Sequence, residues 1–329
     1  VPFKFSSLPK FAICLLLLTG LNKGEPRSPV KVGAPVLGFV FDREAAGLRP
    51  IVGVPGAATI AAPLDLGITI SFAVVSPQQD FALALAGEDN HIVGLGLGPA
   101  GIVVRSITGL SPQADKIAFG PAGKSAALFY SAERRIAILT GLPNSPNVVS
   151  NIDVSTLAGT LTALAVRDDG ATVLVGLSEG ETGSLFRIDR DGNPLLLSIL
   201  RYPSAIQFLH KGKDAIVADR EDNKIYRIVD VPGNAQVIFM ASEREEISTP
   251  IDIGVSADDS HVLIANSGTG ITVLPLPGGA PESYSIEGGP SGLHRLRGNS
   301  VFLLTEPSQD PLLIFDGDSA RPRIVIVPQ

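Results

Sequence analysis

Charged and amide side chains recur in this chain at one kind of place, directly after an apolar run: Asp42-Arg43-Glu44, Glu88-Asp89-Asn90, Asp219-Arg220-Glu221, Asn266 and Glu306. Oxygen donors of this type are what Ca²⁺ or Mg²⁺ takes, about six to eight of them for Ca²⁺. Glu44, Asp219 and Asn266 supply a Glu, an Asp and an Asn from three separate segments, oxygen donors of the kind a hard cation takes. The same groups standing in water would be solvated loop tips or local ion pairs. The residues alone leave both readings open, and neither requires a cofactor.

Other chemistries are poorly supplied. The four histidines, His91, His210, His261 and His294, share no ligand spacing, and neither Gly-x-Ser-x-Gly nor His-Glu-x-x-His occurs. Gly94-x-Gly96-x-Gly98 sits inside an apolar run with no helix signal after it, which excludes a phosphate loop. The formal charge is −7, and the three lysines within residues 1–24 leave the remainder at −10. An acidic chain without a basic run has nothing to neutralise a phosphate backbone, so nucleic acid is excluded as a partner. Aromatics make up 5% with no Trp, so stacking platforms are not expected.

The elements that must position these groups show as a repeat. An apolar strand, a turn rich in Gly, Asp or Lys, and a second apolar strand ending in a polar cluster recur from Val74, Ala118, Ala165, Phe208, Gly254 and Arg295. The period of about 44 residues is that of a four-stranded propeller blade, which buries its faces only by stacking on its neighbours. A seventh copy is concealed near the start. Residues 40–56 align without a gap on residues 217–233, sharing Asp-Arg-Glu, Ile-Val and Val-Pro-Gly.

The expected fold is therefore all-β, a single seven-bladed β-propeller with six or eight blades as the alternatives, its blades beginning near 27, 72, 117, 162, 205, 251 and 293. In the first blade the second, third and fourth strands start from Val36. Its innermost strand comes either from Pro29–Val32 or from Arg323–Val327 acting as a ring-closing clasp. In the fourth blade the strands read Leu161–Val166, Thr172–Gly176, Ser184–Ile188 and Pro194–Ile199. With the first strand of each blade descending the channel, the second-to-third loops return to the top face. All the polar clusters named above fall there, so a protein or small-molecule ligand is expected on that face.

Residues 1–24 read as a secretory signal: Lys4 and Lys10 precede the apolar run Phe11–Leu21, which is too short for a hydrocarbon core of about 30 Å. The propeller then occupies 25–329, in the periplasm or outside the cell, with no membrane span after cleavage. Cys14, the one cysteine, would leave with the signal, so no disulfide is expected.

Ser256-Ala257-Asp258-Asp259 before Val262-Leu263-Ile264-Ala265-Asn266 resembles the YVTN-type propeller repeat. Val217-Ala218-Asp219 with Asn223-Lys224-Ile225-Tyr226-Arg227-Ile228 resembles the related NHL type. The resemblance implies a propeller across residues 36–329. It permits either a non-catalytic binding or interaction scaffold, or a lactonase-like hydrolase working in the top-face channel.

Overall fold

Apolar runs of four to six residues, separated by turns every eight to twelve, fold as short antiparallel meanders. The computed structural model describes residues 1–2, 35–98, 101–308 and 311–328. Residues 3–24 of the expected signal and the strand candidate Pro29–Val32 lie outside the described residues. Blade 1 contains Val36–Asp42, Gly47–Val52 and Thr59–Ile60. Blade 2 contains Ile70–Val75, Phe81–Ala86, His91–Gly98 and Gly101–Ser106, and blade 3 Lys116–Phe119, Ser125–Tyr130, Arg135–Thr140 and Asn147–Asp153. Blade 4 is built from Thr160–Val166, Thr172–Glu179, Thr182–Asp189 and Pro194–Leu200, blade 5 from Pro203–Phe208, Ala215–Asp219, Lys224–Val229 and Gln236–Ala241. Blade 6 has Pro250–Val255, His261–Asn266, Gly270–Pro275 and Glu282–Ser285, and blade 7 His294–Arg295, Val301–Leu303, Leu312–Asp316 and Arg323–Val327. The strands pair in sequence order within each sheet.

Stacking blade on blade explains the composition. Ser125–Tyr130 and Ala215–Asp219, both second strands, are buried at every position because each face meets a neighbouring blade. The described core divides into seven apolar clusters, one between each adjacent pair of blades. The last joins Leu37, Val40 and Ile51 of blade 1 to Leu296, Leu303 and Ile314 of blade 7, so packing closes the ring. Gly94, which mimics a phosphate-loop glycine, is instead a packing position: a Cβ there would lie 2.7 Å from Phe81 Cζ.

Side chains also tie each inner strand to the next. In blades 4 and 5 a β-bulge sets Thr162 and Ser204 out of register. Thr162 Oγ1 donates to Pro203 O at 2.6 Å and Ser204 Oγ to Pro250 O at 2.7 Å. Lys116 Nζ donates to Thr162 O, and Asp252 Oδ2 accepts from Leu293 N at 2.8 Å. These bonds run from blade 3 round to blade 7 along the channel wall.

The turns after the inner strands make a second set of ties. Asp168 accepts from Ala122 N at 2.9 and 3.0 Å, Asp259 from His210 N and Lys211 N at 2.8 and 2.7 Å, and Asn299 from Asp258 N at 2.9 Å. Acidic and amide residues in these turns thus satisfy the backbone of the preceding blade, which is why the repeat retains them.

Residues 40–56 and 217–233 are equivalent, as aligned. Val36–Asp42, Gly47–Val52 and Thr59–Ile60 match the second, third and fourth strands of blade 5. Ala46 and Asn223 take the same left-handed turn conformation, with φ of 45° and 51°.

One of the two alternatives for the innermost strand of blade 1 is overturned. Arg323–Val327 is no clasp: it pairs with Leu312–Asp316 as the outer strand of blade 7. Among the described residues blade 1 has three strands where the other six have four, and its inner edge is bonded by side chains. Phe39 N donates to Gln79 Oε1 at 2.6 Å, Gln79 Nε2 donates to Arg295 O, and Arg297 donates from N to Leu37 O and from Nη1 to Val36 O, both at 2.8 Å.

Candidate functional site

The inner strands and Val36–Asp42 of blade 1 line a channel cavity of about 340 Å³. Phe39, Phe41, Phe72 and Phe119 form much of its apolar wall. Phe41 and Phe72 meet edge to face with centroids 5.9 Å apart. Phe302 lines the cavity as well, so five of the 18 aromatic residues of the sequence face it.

Arg43 and Glu306 face one another across the top mouth at 3.9 Å. Asp252 and His294 stand on the inner strands of blades 6 and 7, and a point beside Gly292 lies within 3.3 Å of Asp252 Oδ2 and 3.7 Å of His294 Nε2. Asp252 is surrounded by protein while its residue opens to the cavity; this desolvation pushes its carboxyl above the usual range, against the pull of the Leu293 N–H and of His294. Burial likewise draws the Lys116 ammonium down, opposed by the charge of Asp252. His210 lines the same cavity from the turn after the inner strand of blade 5.

Of the eleven residues expected to bind, Arg43 and Glu306 line this cavity and the other nine do not. Asp42 is buried; despite that burial, N–H bonds from Glu44 and Ala45 and a 3.0 Å bond from Arg49 Nη1 hold its carboxyl below the usual range. Glu44, Glu88 and Glu221 are exposed in turns. Asp89 pairs with His91 Nδ1 at 2.8 Å, Asn90 accepts from Ser71 Oγ, and the Arg220 guanidinium lies over the Tyr202 ring.

Asp219 and Asn266 are scaffold groups. Both oxygens of Asp219, which is fully buried, accept backbone N–H groups of Arg201 and Tyr202 at 2.9 Å. Asn266 accepts from Ser248 N at 3.0 Å and donates to Glu246 O and Thr272 Oγ1. Each holds the loop leading into its own inner strand. Of the three donors expected at a cation site, Glu44, Asp219 and Asn266, the latter two thus accept backbone N–H groups in this structure. Among the described residues no group of three His, Cys, Asp or Glu is placed to hold a metal ion.

Fold and cavity together define a seven-bladed β-propeller with a ligand-sized, aromatic-walled channel. No protein-family model matches the chain, and no curated protein matches it. Solved structures do. A functionally unknown protein from Desulfotomaculum acetoxidans is 17% identical, aligned over 88% of this chain and 99% of its own, with a TM-score of 0.59. The virginiamycin B lyase of Staphylococcus aureus is 15% identical over 78% of this chain and 83% of its own, at 0.56. A 6-phosphogluconolactonase-like protein from Bacteroides uniformis is 12% identical over 89% and 96%, at 0.57. At these identities the likeness establishes the propeller fold and nothing further.

Proposed function

We propose that this chain is an exported propeller, its repeats of the YVTN/NHL type, that binds a small ligand with an apolar ring system in its central channel. The phenylalanine-walled cavity carries this reading. Its volume falls in the range of about 300–1,000 Å³ in which small-molecule pockets lie, and charged groups stand at its mouth and wall to fix orientation. The reading needs no metal.

Because the chain has no Trp, an anionic fluorescent arene such as anilinonaphthalene sulfonate can be titrated against a low background. One saturable site is expected, and Phe41→Ala should weaken it roughly 2- to 10-fold through loss of the edge-to-face partner of Phe72. Equal binding by wild type and Phe41→Ala/Phe72→Ala would place the dye elsewhere and remove the support. Export rests on Lys4, Lys10 and the run Phe11–Leu21. Expressed with its leader in a bacterial host, the exported protein should have an N-terminus near residue 25, and a soluble cytoplasmic form retaining Phe11–Leu21 would contradict export.

A further inference from the structure

Arg220 is the counterpart of Arg43 in the gapless alignment, each following a buried aspartate at the end of its strand. The two arginines are satisfied differently. Arg43 meets Glu306 at 3.9 Å, whereas among the described residues no carboxylate pairs with Arg220. Its Nε is buried without a hydrogen-bond partner, and its terminal nitrogens make no hydrogen bond either. A buried N–H with no acceptor is rare in a folded chain and calls for a physical reason. What holds the side chain is an aromatic face: Cζ lies 6.0 Å from the Tyr202 ring centroid, and the Arg220 backbone N donates to Tyr202 O at 2.9 Å. The Tyr202 hydroxyl also makes no hydrogen bond among the described residues.

The neighbouring charges along the chain are engaged elsewhere. Asp219 gives both oxygens to backbone N–H groups, and Asp222 meets Lys224 Nζ at 3.0 Å and Arg201 Nε at 3.9 Å. Glu221 is exposed in the turn and makes no ion pair among the described residues. Tyr202 directly precedes Pro203, the first residue of the inner strand of blade 5, and neither Tyr202 nor Arg220 lines the channel cavity. Both side chains are half-buried, so one face of the pair opens to solvent. A guanidinium presents its N–H groups in a planar fork that matches a carboxylate, and an aromatic face beneath it reduces the freedom lost on binding. A multiply charged anion draws on several cations. Here Arg201 and Lys224 are occupied by Asp222 and the chain carries −7 overall, which leaves one cation for one negative charge.

We propose that Arg220 and Tyr202 form a subsite on blade 5 for the carboxylate of a small organic monoacid. The carboxylate accepts side-on from Nε and one terminal nitrogen of Arg220, and the Tyr202 hydroxyl supplies a further donor. The ligand thus provides to Arg220 the acceptor that blade 7 provides to Arg43 through Glu306. The subsite is separate from the phenylalanine-walled channel and does not rest on ligand binding there.

The test is a nuclear magnetic resonance titration of the ¹⁵N-labelled full chain with sodium butyrate at constant ionic strength, with 1-butanol and inorganic phosphate as comparisons. Butyrate has no ring, so the phenylalanine wall has no aromatic partner in it. The Arg220 Nε–H signal, assigned by its loss in Arg220→Gln, should shift saturably with butyrate, should not respond to butanol, and should respond more weakly to phosphate. Followed at the Tyr202 amide, Arg220→Gln should weaken butyrate binding about 10-fold or more, and Tyr202→Phe about 3- to 10-fold. Arg321→Gln, which removes an exposed arginine of blade 7, should bind as wild type. Should Arg220→Gln fail to fold, Arg220→Lys keeps the charge, loses the planar fork and should also bind more weakly. No saturable shift, an equal shift with butanol, tighter binding of phosphate than of butyrate, or affinity unchanged in the Arg220 variant overturns the proposal. Each of those results leaves the channel reading as it stands.

Discussion

Asp219→Ala is expected to destabilise the propeller by about 3 kcal/mol or more, from the loss of two hydrogen bonds to a charged acceptor at about 1.5–3 kcal/mol each. The carboxylate has no exposure, and its two oxygens serve separate backbone groups, Arg201 N and Tyr202 N. Truncation leaves both N–H groups without this acceptor, at the point where the chain enters the inner strand of blade 5. Asp219→Asn keeps one acceptor oxygen and should lose roughly half as much. Denaturant unfolding measures the two losses, and the size of the fall in melting temperature should follow the same order. The experiment also separates scaffold from ligand roles. A cation ligand would destabilise on removal only when Ca²⁺ or Mg²⁺ is present, whereas a backbone cap destabilises equally in chelator. Loss confined to metal-containing buffer, or a loss under about 0.5 kcal/mol in both variants, would refute the cap assignment.

Why the sequence misdirects at Asp219 and Asn266 is a matter of distance along the chain. A polar residue ending a second strand carries the same signature whether it meets a ligand or a loop. Here the loops lie 17 or 18 residues earlier, at Arg201, Tyr202 and Ser248, too far for local pattern to reveal. The blades themselves are legible because their causes are local. Apolar runs packed on both faces, and turns built on Asp-Asp-Gly or Ser-Ala-Asp-Asp, repeat every 44 residues or so. The strands read for blade 4 accordingly match the observed ones to within three residues at each end.

The channel site was legible in its parts and not in its assembly. Phe39, Phe72 and Phe119 come from three different blades and share no spacing with His210 or Asp252, so nothing in a single sequence groups them. His210 lies in the turn after the inner strand of blade 5. It pairs with Asp259, 49 positions later and across a blade boundary. The signal that could have found it is the repeat itself: placing the turn of blade 5 beside that of blade 6 brings His210 and the aspartate of the Ser-Ala-Asp-Asp turn into adjacent copies. Blade 1 shows the same limit, since its inner edge is bonded to residues 40 and more than 200 positions away.

That edge makes Gln79 the side chain on which ring closure should depend most. It is 2% exposed; its Oε1 accepts from Phe39 of blade 1, its Nε2 donates to Arg295 of blade 7, and its own carbonyl accepts from Arg297 Nη2 at 2.9 Å. Gln79→Ala removes the first two bonds and leaves a half-buried donor, Phe39 N, and a half-buried acceptor, Arg295 O, unpaired. At about 1–3 kcal/mol for each orphaned group, the expected loss is roughly 2–5 kcal/mol. The backbone supplies an internal control. Gln79 sits at φ 58°, a left-handed conformation that Ala retains at a cost and Gly adopts freely, so Gln79→Gly should be less destabilising than Gln79→Ala by about 1 kcal/mol. Amide exchange locates the effect: in both variants the Phe39 N–H should exchange faster, while that of Ile216, in the buried second strand of blade 5, should follow global stability. Protection of Phe39 unchanged in Gln79→Ala, with stability within about 0.5 kcal/mol of wild type, would mean that the apolar contacts of Leu37 and Val40 with blade 7 close the ring without the amide.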